Sequence, residues 1–195
     1  MTTFPRPSRG ALTALFAVLL ITSFAQATRA ESVPEINSLR SLVAPGETAP
    51  SFTLKTLEGK IVSFHPRGEK PSLIVFWTAF CPLCRELTPS INAIADRYGS
   101  AIRIVSINLD GSRFSNAVRS FVKENGIRYP VLMDSLQGDF FIASDRYGVQ
   151  KTPTAVLVGA SGKVHSAYEA ERMKELVRKF DEIINGLNNV KSVKK

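Results

Sequence analysis

The chain of 195 residues holds two cysteines, Cys81 and Cys84, with Pro82 and Leu83 between them. Such a pair can cycle between two thiols and an intramolecular disulfide, moving two electrons. As a structural staple it is poor. The ring would close only four residues, worth about 2 kcal/mol in the chain-entropy model, less than the ~3 of a fifteen-residue loop. Exported proteins that use disulfides for stability cross-link distant segments instead.

Two other uses of the cysteines compete with redox exchange. Zinc could draw on Cys81, Cys84, His65 and His165. Zinc sites, however, pair one Cys-x-x-Cys with a second close-spaced motif, and these histidines stand a hundred residues apart. No metal site is therefore expected. A copper chaperone using Cys81, Cys84 and His165 is the binding-module alternative, although an exposed strand histidine is the plainer reading of His165. A thiol peroxidase is the other enzymatic alternative, since Thr78 stands three before Cys81. The proline that should precede that threonine in the peroxiredoxin pattern is missing, because Ile74 occupies its place.

The elements around the pair have a readable order. Ser72–Trp77 (SLIVFW) is a continuous apolar run of the kind found in a strand buried on both faces. From Cys84 to Tyr98, Leu87, Ile91, Ile94 and Tyr98 fall on one helical stripe, which Gly99 ends. Cys81 thus starts a helix, where free N–H groups and the helix dipole favour a thiolate and lower its pKa below the free value of ~8.5. Cys81 would attack a disulfide, and Cys84, one turn on, would resolve the mixed disulfide. Pro82 suits the first turn because its missing N–H costs nothing there.

Upstream, Phe52–Leu54 and Ile61–Phe64 flank Glu58-Gly59 and predict a β-hairpin. Downstream, the pattern predicts a strand over Ile102–Asp110, a helix over Phe114–Asn125, and a short strand over Tyr129–Met133. A helical stretch to about Tyr147 follows, then strands over Thr154–Val158 and Lys163–Tyr168, and a helix over Glu171–Ile184. This order predicts an α/β three-layer sandwich with a mixed central β-sheet.

The strand–CxxC–helix arrangement, with Trp77 ahead of it, resembles the thioredoxin-like superfamily, and within it the exported TlpA/ResA-type thiol–disulfide oxidoreductases. The resemblance runs through Ala49–Leu54, Leu57–Lys60, Phe76–Cys81, Tyr129–Asp134, Tyr147–Thr154 and Gly162–Val164, and covers about residues 48–185. It implies a thioredoxin-like fold with an N-terminal β-hairpin and a central insertion that includes Tyr129–Asp134. It also implies Cys81 as nucleophile, Cys84 as resolving cysteine and Pro153 as a cis-proline facing them. A cis bond there would expose backbone groups of Thr152 to an extended substrate. Trp77, Thr152, Pro82 and Leu83 are the expected substrate-side residues.

Two positions depart from the family. Relatives often carry an acid three residues after the second cysteine; here that position is Leu87, and Glu86 stands one place earlier, about 100° around the helix. Where thioredoxins carry a buried acid two before the tryptophan, this chain has Val75. Glu86 remains the one acidic candidate for taking the Cys84 proton. Pro82-Leu83 brings no histidine or charge, with Arg85 just outside, which favours an electron-donating dithiol. The resemblance implies protein disulfide substrates such as apo-cytochrome c cysteines or copper-site cysteines, a membrane-embedded electron donor, and no cofactor beyond the Cys81–Cys84 disulfide.

Arg6 and Arg9 precede the apolar run Ala11–Ala25, followed by small-residue sites ending at Ala30. Charged start, short apolar middle and A-x-A-like end form a signal peptide over 1–30. As a helix the run spans about 22 Å, short of a ~30 Å hydrocarbon core, so membrane contact is expected only if the segment is retained as an anchor. Export to a periplasm or other extracytoplasmic space follows. Losing Arg6, Arg9 and Arg29 takes the formal charge from +8 to about +5. No basic stretch is interleaved with aromatics, so no nucleic-acid partner is expected. The remaining divisions are a leader at 31–47, the domain at 48–186 and a basic tail at 187–195.

Overall fold

The computed structural model describes residues 41–192. The expected signal segment, the leader up to residue 40 and the last three residues of the tail lie outside the described residues.

Among the described residues, nine strands and four α-helices follow one another in the order β1 Phe52–Thr56, β2 Ile61–Phe64, β3 Ser72–Trp77, α1 Pro82–Tyr98, β4 Arg103–Asn108, α2 Ser115–Glu124 and β5 Val131–Met133. Then come β6 Leu136–Gln137, β7 Phe140–Phe141, α3 Ser144–Tyr147, β8 Thr154–Val158, β9 Val164–Glu169 and α4 Met173–Ser192. Seven strands form one mixed sheet in the order β2-β1-β5-β4-β3-β8-β9. β3, β4 and β5 are parallel, and β1, β8 and β9 each run antiparallel to their neighbours. β6 and β7 make a separate hairpin.

Chain direction decides which face each helix covers. The steps from β3 to β4 and from β4 to β5 move the same way across the sheet. Right-handed crossovers therefore put α1 and α2 on the same face. There Leu87, Ile91 and Ile94 of α1 meet Leu73 and Val75 of β3 and Met173, Leu176 and Phe180 of α4. Val118 and Phe121 of α2 meet Trp77, Val131 and Met133. Ile74 and Phe76 point the other way, onto Tyr147 of α3 and the segment before β1. With both faces covered, every residue of β3 is buried. This is the three-layer sandwich that the sequence predicts, with the hairpin β1–β2 extending the sheet through pairing of Lys55 with Met133 and Thr56 with Leu132.

Three boundaries differ from the sequence reading. The stretch before Tyr147 is mostly the β6–β7 hairpin, with α3 only four residues long. Gly138 turns that hairpin at φ 65°, and the buried Asp134 carboxylate gathers the N–H groups of Ser135, Ala143 and Ser144 at 2.8–3.0 Å. The leader contributes to the core: Val43 is buried and its N–H donates to the Tyr147 carbonyl at 3.0 Å. Finally, α4 continues past Ile184 into the expected tail, because Leu187 keeps the apolar stripe against the core.

Candidate active site

β3 ends at Trp77 in the middle of the sheet, and the turn Thr78-Ala79-Phe80 carries the chain to Cys81. Cys81 caps α1 with extended backbone, φ −88° and ψ 112°. Its Sγ accepts the Cys84 N–H at 3.0 Å, so a sulfur fills the place that an oxygen takes in an ordinary helix cap. Pro82 follows at the first helical positions.

Cys81 and Cys84 are joined as a disulfide with Cα atoms 5.2 Å apart. The two sulfurs have unequal surroundings. Cys81 is half-buried, whereas Cys84 is 3% exposed and packs among Trp77, Val118 and Phe121. Behind Cys84 lies a cavity of about 20 Å³ whose walls include Leu87, Thr88, Tyr129 and Pro153. The Thr88 hydroxyl donates to the Cys84 carbonyl at 2.7 Å, and burial raises the Tyr129 phenol pKa.

The sheet register brings the loop before β8 to the sulfurs. Phe76 pairs with Thr154, so Thr152 and Pro153 stand beside the end of β3. The Thr152–Pro153 peptide bond is cis, and the Thr152 carbonyl oxygen lies 3.5 Å from Cys81 Sγ. Two contacts hold this loop: the Thr154 hydroxyl donates to the Lys151 carbonyl, and the Ala170 N–H donates to the Pro153 carbonyl, both at 2.7 Å.

Pro82 is exposed and Leu83 half-buried, both beside Cys81. Trp77 is 5% exposed; its indole N–H donates to the Ser106 hydroxyl at 2.7 Å, and its ring tilts against Phe121 at 4.7 Å. It backs the sulfurs from inside the core and offers little surface to a substrate. Glu86 faces solvent and pairs with Lys174 at 2.9 Å, while Leu87, one helical step away, takes the place beside Cys84. Arg85 turns from the sulfurs to Phe121 and Glu124, tying α1 to α2.

Neither histidine is brought to the cysteines. His65 follows β2 and its carbonyl accepts from Arg103, at the edge of the sheet where β3 and β4 begin. His165 is exposed on β9, opposite the far end of β8 from Thr154; four residues of strand span about 13 Å. Among the described residues no group of three or more histidines, cysteines and acids could hold a metal.

The structure adds a residue that the sequence reading passed over. Asp110 Oδ2 accepts the Ala79 N–H and the Asn108 side-chain amide, both at 2.7 Å, and Asn108 Oδ1 accepts the Asp110 N–H at 3.0 Å. Asn108 is fully buried. The turn ahead of Cys81 is thus held by the end of β4. The signal in the sequence was two polar residues, Asn108 and Asp110, at the end of the strand pattern Ile102–Asp110.

Residues 44–184 match the Redoxin family model. A thiol-disulfide oxidoreductase ResA from Halalkalibacterium halodurans is 27% identical over 146 residues, covering 74% of this chain and 80% of that one. Among solved structures, a secreted disulfide oxidoreductase of Mycobacterium tuberculosis, homologous to E. coli DsbE, superposes with TM-score 0.53 at 27% identity over 66% of this chain and 92% of that one. The thioredoxin domain of a Bacteroides vulgatus thiol-disulfide oxidoreductase gives TM-score 0.61 over 73% and 99%, at 22% identity a likeness of fold. The sandwich is a thioredoxin-like fold.

Proposed function

The chain belongs to the Redoxin family and is a thiol–disulfide oxidoreductase, and from that premise we propose that it works outside the cytoplasm as a reductant of disulfides in other proteins. The observation that carries this reading is the inequality of the two sulfurs: Cys81 half-open at a helix start, Cys84 closed in behind it.

In the dithiol state the Cys84 N–H and the first turn of α1 stabilise a thiolate at Cys81. That thiolate attacks a client disulfide, breaking the client S–S bond and releasing one client thiolate. Cys84 Sγ, one turn away, then attacks Cys81 Sγ in the mixed disulfide and expels the second client thiolate, which takes up a proton. Two electrons have passed to the client, and the Cys81–Cys84 disulfide is formed. The backbone of Thr152, beside Cys81, would pair with the client's extended chain.

The same reading supplies the rest of the cycle. A dithiol donor must return two electrons to the disulfide, and a membrane-embedded protein is the proposed source. The sulfurs are the whole redox unit, with no prosthetic group. The signal-peptide pattern of residues 1–30 and the secreted relative support an extracytoplasmic site. Apo-cytochrome c cysteines before haem attachment and cysteine ligands of copper sites are the proposed clients, taken from the family resemblance.

The reducing direction rests on the weak stabilisation of the thiolate. Pro82 and Leu83 are uncharged, and Arg85 is engaged with Glu124. Each ~1.4 kcal/mol of extra thiolate stabilisation would shift a two-electron couple by ~30 mV toward oxidant. Equilibration with glutathione buffers should place the midpoint well below the roughly −120 mV of a strong protein oxidant; a value near that figure reverses the direction. In cell envelopes, the Cys84→Ser variant should accumulate mixed disulfides through Cys81, and their mass-spectrometric identification names the clients. Absence of any adduct would sink the client assignment.

A further inference from the structure

Among the described residues, Ala170 is the one residue other than glycine whose backbone is left-handed, at φ 44°. A side chain in that conformation brings Cβ close to the following carbonyl oxygen, so it persists only where the surroundings impose it. They do so from both directions. Before Ala170, Glu169 pairs with Thr154 at the end of the β8–β9 ladder. After it, the 3-10 turn Ala170–Arg172 leads into α4, and the N–H of the fully buried Met173 donates to the Ala170 carbonyl. Ala170 is the corner at which the last strand turns into the last helix.

The corner fixes the direction of one N–H. The Ala170 N–H donates to the Pro153 carbonyl at 2.7 Å. On the other side of the same loop the hydroxyl of Thr154, itself buried, donates to the Lys151 carbonyl, also at 2.7 Å. Three consecutive carbonyls are therefore divided. The outer two, of Lys151 and Pro153, are taken by donors within the protein, and the middle one, of Thr152, lies 3.5 Å from Cys81 Sγ.

We propose that Ala170 and Thr154 are positioning residues that grip this loop from its two sides, so that the Thr152 backbone stands ready beside Cys81 for the client chain. This inference rests on the thiol–disulfide exchange reading and deepens it; both residues act through the loop rather than on the reacting sulfurs. The left-handed corner is the means. With Met173 fixed in the core after it, a change of φ at Ala170 rotates the preceding peptide plane and takes the N–H off the Pro153 carbonyl. A β-branched side chain strongly resists the left-handed conformation, whereas glycine and asparagine adopt it readily. What matters at position 170 is then the backbone shape and not the methyl group.

The test measures single-turnover rate constants of the reduced full-length protein with two disulfides. One is a symmetrical dimer of a short peptide with alanines flanking its cysteine; the other is dithionitrobenzoate, a disulfide without peptide groups. Ala170→Val should slow the peptide about tenfold, the worth of one or two backbone hydrogen bonds to the client, and leave dithionitrobenzoate within about twofold. Ala170→Gly and Ala170→Asn should keep both rates within about twofold of wild type. Thr154→Val, which removes the hydroxyl and keeps the shape, should slow the peptide alone. A merely structural role would slow both reagents together, and that result overturns the proposal while thiol exchange stands. So does a peptide rate kept by a folded valine variant, or a loss in Ala170→Asn equal to that in Ala170→Val. If Ala170→Val does not fold, Thr154→Val decides by the same split between the two disulfides. Wild-type protein that fails to reduce the peptide overturns the exchange reading itself.

Discussion

The Sγ atom of Cys81 lies 3.5 Å from the carbonyl oxygen of Thr152, 71 positions along the chain. The pairing of β3 with β8 brings them together, with Phe76 opposite Thr154. One side of the sulfur is thereby covered by backbone, and the other remains open to a client. Cys84 has no comparable opening, being enclosed by Trp77, Val118 and Phe121.

That inequality should be visible in alkylation. In the reduced protein at neutral pH, iodoacetamide is expected to label Cys81 at least about ten times faster than Cys84, because only an accessible thiolate reacts. Peptide mass spectrometry on samples quenched at low conversion measures the ratio. Equal labelling would contradict the geometry at the start of α1.

Asp110 should matter through the acceptor that it offers. Asp110→Ala leaves the Ala79 N–H and the Asn108 amide without their 2.7 Å partner, at a cost of about 1–3 kcal/mol for a half-buried donor. Asp110→Asn can still present an oxygen and should recover most of that loss. Urea denaturation of the three proteins, with the rate of peptide disulfide reduction beside it, distinguishes a positioning role from a merely structural one. Positioning requires Asp110→Ala to slow exchange even where the variant is fully folded.

Glu86 is the acidic candidate that the spacing offered, yet its carboxylate is spent on Lys174 at the surface. Exposed pairs of this kind contribute little. Glu86→Gln should therefore leave the exchange rate within about twofold of wild type at pH 6 to 8, since no proton transfer is routed through a solvated ion pair. A fall of tenfold, steepest at low pH, would restore Glu86 as the group that deprotonates Cys84.

Alkali should unfold the protein through its buried phenols. Tyr147 is fully buried, donates its hydroxyl proton to the Pro50 carbonyl at 2.8 Å, and is pushed by burial above its ordinary pKa of 10.0. The unfolded state loses that proton near pH 10 while the folded state keeps it. Above pH 10 the folded state binds more protons, so stability falls as pH rises, by up to about 1.4 kcal/mol per pH unit for one such group. Below pH 10 both states are protonated and this contribution is flat. Tyr147→Phe should make the denaturation midpoint less sensitive between pH 10 and 11, although it starts lower through loss of the Pro50 contact. An unchanged slope would assign the alkaline loss to other groups, such as Tyr129.

The chemistry was legible because it is local. Two cysteines three positions apart, an apolar run before them and a helical stripe after them specify a strand, a close cysteine pair and a helix start. The hairpin β1–β2 was legible for the same reason, from its turn residues and flanking apolar pairs. The β6–β7 hairpin was not: strands of two residues carry no period, and Asp134 fixes that segment through N–H groups up to ten positions away.

The surroundings of the sulfurs were decided in three dimensions. Sequence spacing put Leu87 on the apolar stripe and left Glu86 as the acidic candidate about 100° around the helix; α1 lies with that stripe on the sheet, so the leucine entered and the acid stayed in water. No local pattern linked Asp110 to Ala79 or Phe114 to Phe80, because parallel strands place side by side loops that are far apart in the chain. Reactivity at a helix start follows from neighbours along the backbone, whereas access, clamping and the surface a client meets follow from sheet register and helix packing.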